Sequence, residues 1–200
     1  MDKNLEDIKP HHIYFAAVAV FFLAVLIPFF RIGEFYSTVS DFGADYRTNT
    51  IFNFLIFLSG IIATVGCIQL CKENFKKYGR VRSIILIAST VCISFIGLFP
   101  LGVNEFITGV HHIFTTLLFI GMPICMIFFG TLFYRKKQEI FLILTALGLL
   151  DFVQLLIFYS NRQTQAWQWL GIIIVLAFHY VLLRHTPKLE EIKNEFEELE

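Results

Sequence analysis

The chain is predicted to be an all-α polytopic membrane protein, a six-transmembrane-helix bundle with both termini cytoplasmic. Three observations carry that prediction. Hydrophobic residues make up 56% of the 200 residues, charged residues only 16%, and mean hydropathy is +0.69. Soluble domains carry about 25% charged residues, and a soluble fold of this size could not hide so much apolar surface. The apolar residues gather into runs close to the ~20 residues that a helical crossing needs. None alternates in the manner of an outer-membrane strand.

The runs cover residues 13–30, 49–71, 83–101, 111–134, 140–159 and 167–183. Each closes its own backbone hydrogen bonds as a helix, which lipid requires. The first is too long for a signal-peptide core and has no small-residue cleavage pattern before Arg31, so it is expected to remain as a span. Residues 1–186 therefore read as a six-span transmembrane domain, and 187–200 as an acidic cytoplasmic tail. That tail places Leu189, Ile192, Phe196 and Leu199 on one stripe if helical. It offers a docking surface for a second copy or a protein partner.

Lys and Arg set the orientation. The N-terminus, the 72–82 and 135–139 loops and the stretch from Arg184 to the C-terminus together carry thirteen of them, whereas Arg31, Arg47 and Arg162 stand on the other side. The positive-inside rule makes the richer side cytoplasmic, so the expected location is the cell membrane with both termini inside. Net charge is zero, and the basic loops are short and explained by insertion, so no nucleic-acid partner is expected. Phenylalanine is abundant, at 24 residues. It suits lipid-facing and helix-packing positions alike and implies no aromatic cage. Cys67, Cys71, Cys92 and Cys125 fall within or at the ends of apolar runs and read as small buried hydrophobes.

The chemistry-bearing residues are biased to the outer half. The first outer loop contains Ser40-Asp41-Phe42-Gly43, a turn or cap in which Ser and Asp bond local backbone and Gly accepts positive φ. Asn53 lies one turn into the second span. His111 and His112 open the fourth. Neighbouring helical residues point ~100° apart, so one of the two faces the bundle. Asp151 is the sharpest feature, roughly 12 Å below the outer end of the fifth span at 1.5 Å per residue. A carboxylate at that depth must face the interior, and an intramembrane acid marks a functional site by default. Gln154 sits almost a turn further out. Arg162 suits a lipid phosphate or the loop-one carboxylates, and Trp167 and Gln168 start the sixth span, with Gln168 placed to look inward.

No metal or cofactor is expected. His179 lies roughly 18 Å inward of Trp167, too deep to clamp a haem with His111 or His112. A catalytic zinc needs about three protein ligands, and His111 or His112 with Asp151 supplies two.

Ser40-Asp41-Phe42-Gly43, followed by Asn49 and Phe52-Asn53, resembles the motif after the first span of a prokaryotic membrane-protein family, domain of unknown function 998. Gly97-Leu98-Phe99-Pro100, followed by His111-His112, resembles its second motif. The layout is also similar to the damage-regulated autophagy modulators and to proteins that remodel the lipid of GPI anchors. Those relatives tend to have Glu where this chain has Gln168. The resemblance implies six helices, an unassigned activity and, by distant analogy, lipid handling.

The expected function is binding of a membrane lipid in a pocket opening to the outer leaflet, with modification of that lipid as a stronger form. His111, His112 and Asp151 are then the acid–base candidates, since an imidazole titrates near neutrality. Ser40, Asp41, Asn53, Gln154, Arg162, Trp167 and Gln168 would contact the ligand. A small-solute or proton transporter carrying its proton on Asp151 is one alternative, and a non-catalytic scaffold or assembly subunit is another.

Overall fold

The computed structural model describes residues 10–33, 39–134, 138–160 and 165–185. These form seven helices: α1 (Pro10–Ile32), α2 (Asp41–Ala44), α3 (Asn49–Glu73), α4 (Phe75–Leu98), α5 (Glu105–Gly130), α6 (Gln138–Ser160) and α7 (Gln165–His185). All but the one-turn α2 are long and apolar enough to cross a bilayer. The chain is therefore a multi-pass membrane protein built as a six-helix bundle. Its outer surface is apolar, with Phe30 and Phe106 more than three-quarters exposed. In water such a surface would drive aggregation; in lipid it is solvated.

The six long helices follow one another around a ring. Each packs closely on the next in chain order, whereas α7 and α1 have no comparably close backbone packing. Close packing of α3 on α4 depends on small residues. A Cβ on Gly60 would run into the backbone nitrogen of Ser94, and one on Gly97 into the backbone nitrogen of Phe57. Such small-residue contacts let helices associate where lipid supplies no hydrophobic drive. Further along, Phe95 and Phe114 stack at 4.4 Å and join α4 to α5.

Two element boundaries differ from the sequence expectation. The 72–82 segment is helical for most of its length rather than a loop. Asn74 alone separates α3 from α4, and its Nδ2 donates to the Leu70 carbonyl at 2.9 Å. The chain then turns inside α4 at Gly79, where φ is 74° and ψ 163°, a conformation that L side chains rarely adopt. The fourth span begins at Glu105, six residues before His111, because Asn104 Oδ1 accepts from Ile107 N at 2.8 Å and caps the helix. At the other end of α5, Arg82 Nε donates to the Phe128 carbonyl at 2.7 Å and Nη2 to Thr131 Oγ1 at 2.7 Å. A cation here also meets the negative end of the helix dipole.

Two buried clusters hold the bundle. One surrounds Tyr78, Met126, Phe129, Phe178 and Leu182 in the half that carries the Lys- and Arg-rich turns, hereafter the basic face. The other surrounds Ala24, Val25, Phe42, Phe52 and Ile56 at the opposite face. All four cysteines are buried and free, as expected of small core hydrophobes.

Gly60→Ala should lower stability by about 1–3 kcal/mol through overpacking, while Gly109→Ala, with nothing within 4 Å of the added Cβ, should not. Thermal unfolding of both variants in detergent measures the difference.

Candidate functional site

The segment from Val39 to Thr48 forms a strap over the end of the bundle opposite the basic face. Phe42 anchors it, fully buried against Phe52 with ring centroids 6.1 Å apart. Thr48 Oγ1 donates to the Phe42 carbonyl at 2.9 Å, and Asn53 Nδ2 donates to the Gly43 carbonyl at 3.0 Å. The Val39 backbone N–H donates to Gln168 Oε1, reaching from the first span's loop to the last span. The exposed Asp45–Arg47 pair at 2.7 Å adds little, as surface ion pairs generally do.

The Ser40–Gly43 motif is thus the start of a helical turn. Ser40 stands at the N-cap without a side-chain cap bond. Gly43 does not take positive φ; the glycines that do are Gly33, Gly79 and Gly102. Gly43 is needed for space, since a Cβ there would fall 3.0 Å from the Phe52 ring and 2.5 Å from Asn53 Oδ1.

Beneath the strap lies a cavity of about 180 Å³. All six long helices contribute to its wall, which is overwhelmingly apolar. Its strap end is formed by Val39, Ser40, Phe52 and Gln168, its middle by Ile56, Ser59, Thr90, Thr115 and Asp151, and its far end by Tyr14, Ala63 and His179. Half-buried Val18 and Phe21 of α1 and Ile172, Val175 and Leu176 of α7 all line it. The cavity therefore borders the seam between α1 and α7.

The polar groups along the wall fall into two kinds. Ser59 Oγ donates to the Ala17 carbonyl at 2.9 Å, and Thr115 Oγ1 to the His111 carbonyl at 2.8 Å. These hydroxyls are satisfied by backbone. Asp151 is not. It is 3% exposed, lines the cavity and has no hydrogen bond or ion pair among the described residues. A buried carboxyl without a partner is costly. One turn away, Gln154 Nε2 donates to the Trp167 carbonyl at 2.6 Å, while its Oε1 is buried without a partner beside Gly171, a cavity-lining residue.

The residues singled out from sequence separate accordingly. Ser40, Asp151 and Gln168 meet at the cavity. Asp41 starts α2, Asn53 pins the strap, and Gln154 and Trp167 tie α6 to α7; none of these four lines the cavity. His111 is buried and His112 exposed, so one of the pair does face the bundle. His111 Nδ1 donates to the Phe99 carbonyl at 2.8 Å, satisfying a carbonyl that the end of α4 leaves open. Neither histidine is bonded to Asp151. Arg162 lies outside the described residues, as does the 187–200 tail. Tyr14 carried no sequence signal, and His179 entered only as a haem candidate. Nothing in either local stretch says that α1 and α7 are neighbours.

Fold and cavity together define a class, an integral membrane protein with an apolar chamber closed by a strap. A family model described as "Protein of unknown function (DUF998)" matches residues 15–185, and the chain belongs to that family. No curated protein and no solved structure matches it.

Two outcomes follow from this geometry. Gln168→Leu removes the acceptor for Val39 N–H and should speed amide exchange in 39–48 about fivefold, the worth of one such bond, as hydrogen-exchange mass spectrometry can read. Asp151→Leu should raise the unfolding free energy by about 1–3 kcal/mol, because an unsatisfied buried polar group disappears. A melting curve of that variant checks the sign.

Proposed function

We propose that the protein binds a membrane lipid, holding one apolar chain in the cavity with the lipid's polar end at the strap face. The observation that carries this reading is an apolar chamber of about 180 Å³ whose wall includes the unpartnered Asp151. An apolar cavity of about 150 Å³ stays dry and accepts a small hydrocarbon. A chamber of this size suits a chain segment rather than a whole diacyl lipid. The guest enters between α1 and α7, where Val18, Phe21, Ile172 and Leu176 present half-buried apolar side chains instead of tightly packed backbone.

Ser40 and Gln168 stand at the strap end of the chamber, and Arg162 is assigned to the headgroup phosphate. The basic face is assigned to the cytoplasm of the cell membrane by the positive-inside rule, which places the strap end of the chamber at the outer leaflet. Asp151 meets a polar group of the guest or a water carried with it. No acid–base step is assigned, because neither His111 nor His112 reaches the carboxyl through a hydrogen bond. Proton transport on Asp151 is a second reading, favoured by its lack of a partner.

Native mass spectrometry of protein released from nanodiscs should show one retained lipid per chain. Val175→Phe and Ala17→Phe each fill the chamber and should lower the retained fraction about tenfold, as overpacking of 1–3 kcal/mol implies. Phe15→Leu, on the outer surface, should leave it unchanged. Folded wild-type protein that retains no lipid contradicts the proposal. Asp151-dependent proton flux into liposomes would favour the transport reading instead.

A further inference from the structure

The bundle seals several polar side-chain atoms away from open space, Gln154 Oε1 and His179 Nε2 among them. Asp151 differs. The residue is only 3% exposed, yet its carboxyl is not among the sealed groups, and the space that it borders is the chamber. Among the described residues, no Lys or Arg lines that chamber. A buried carboxylate without a countercharge is costly, and ionisable groups inside a membrane bundle generally pair. Here the fold supplies no cation for the pairing.

The other polar side chains at this depth narrow the chemistry of a partner. Asp151 stands nine residues from the strap-face end of α6, Ser59 ten from that end of α3, Thr90 eight from that end of α4 and Thr115 ten from that end of α5. At 1.5 Å per residue the four lie about 12–15 Å in, one layer of the wall contributed by four helices. All four residues line the chamber. The three hydroxyl protons are already spent. Ser59 Oγ donates to the Ala17 carbonyl at 2.9 Å, Thr90 Oγ1 to the Ile87 carbonyl at 2.9 Å and Thr115 Oγ1 to the His111 carbonyl at 2.8 Å. A hydroxyl oxygen that has donated keeps only its lone pairs, and an ionised carboxylate offers lone pairs alone. With Asp151 ionised, the layer holds acceptors and no free donor.

A protonated primary amine answers both features. It brings the missing positive charge and three N–H donors, with no acceptor. Its hydrogen bond to a carboxylate is about twice as strong as a neutral one. An alcohol brings one donor and leaves the charge unmatched. A phosphate or carboxylate head would set like charge against Asp151.

We infer that Asp151 is the counter-ion for an amine-bearing guest, so that the lipid held in the chamber is one whose chain begins at a primary amine. The inference rests on the lipid-binding reading and names the polar group that Asp151 meets. The amine sits in the layer beneath the strap, and the chain leaves it along the apolar wall toward the seam between α1 and α7.

The test is competition for chamber labelling, with the full chain in phosphatidylcholine nanodiscs. A tetradecane bearing a diazirine labels Val175, read by peptide mass spectrometry, while tetradecane, tetradecanol and tetradecylamine compete. In the wild type, tetradecylamine should halve the label at about one-tenth of the bilayer mole fraction that tetradecanol needs, as one hydrogen bond to a charged group implies. Asp151→Asn and Asp151→Leu should each erase that preference while the label on Val175 persists, which also shows that the variants are folded. Glu105→Gln, at an exposed carboxyl of the strap face, should keep it. Equal competition by amine and alcohol in the wild type overturns the counter-ion and leaves the chain-binding reading standing. A preference that survives both Asp151 substitutions places the amine elsewhere and overturns the counter-ion too. Folded wild-type protein without label on Val175 overturns both readings.

Discussion

The hydrogen bond from the Val39 backbone to Gln168 Oε1 joins the two ends of a ring that helix packing leaves loosely closed. Between α1 and α3, and on through α7, each helix rests on the next. Between α7 and α1 closure depends on side chains and on the strap. Phe42 gives the strap its anchor in the core, and the Asn53 and Thr48 bonds fix its path. Gln168 then ties it to the last span. The chamber exists because this closure spans a gap instead of filling it.

Polar accounting inside the bundle points to the same place. In a bilayer every polar group must find an internal partner. Most hydroxyls here do so by bonding a backbone carbonyl, as Ser59, Thr64, Ser89 and Thr115 do. His111 does likewise through Phe99. Asp151 and His179 Nε2 lack partners among the described residues, and both residues line the chamber. Thr145 Oγ1 and Gln154 Oε1 are also unpartnered among the described residues and belong to residues outside the lining, so such groups are not confined to the chamber. An apolar hollow with a few polar groups on its wall is the form that ligand pockets commonly take.

Much of the frame was legible in the sequence, because lipid imposes length and composition on every span. The six runs, the buried cysteines and the inward-looking Gln168 and Asp151 all follow from that constraint. The helix termini were less legible: Asn74, Gly79 and Asn104 act through local hydrogen bonds and backbone angles that hydropathy does not register. The site was legible only in part. His111-His112 looked like chemistry, yet His111 holds a helix end together and His112 faces outward. Tyr14 and His179 are separated by most of the chain. Only the ring order of the helices makes them neighbours, and a single sequence does not encode that order in any local pattern.

The central claim is that an apolar chain occupies the space between α1 and α7. Photolabelling with a diazirine-bearing fatty chain in nanodiscs, read by peptide mass spectrometry, tests it most directly. The account predicts labels on the inward-facing residues Ala17, Ile172 and Val175 at yields matching or exceeding those on lipid-facing Phe15 and Phe30. Labels confined to the outward-facing residues, with the inner face of α7 untouched, would contradict it.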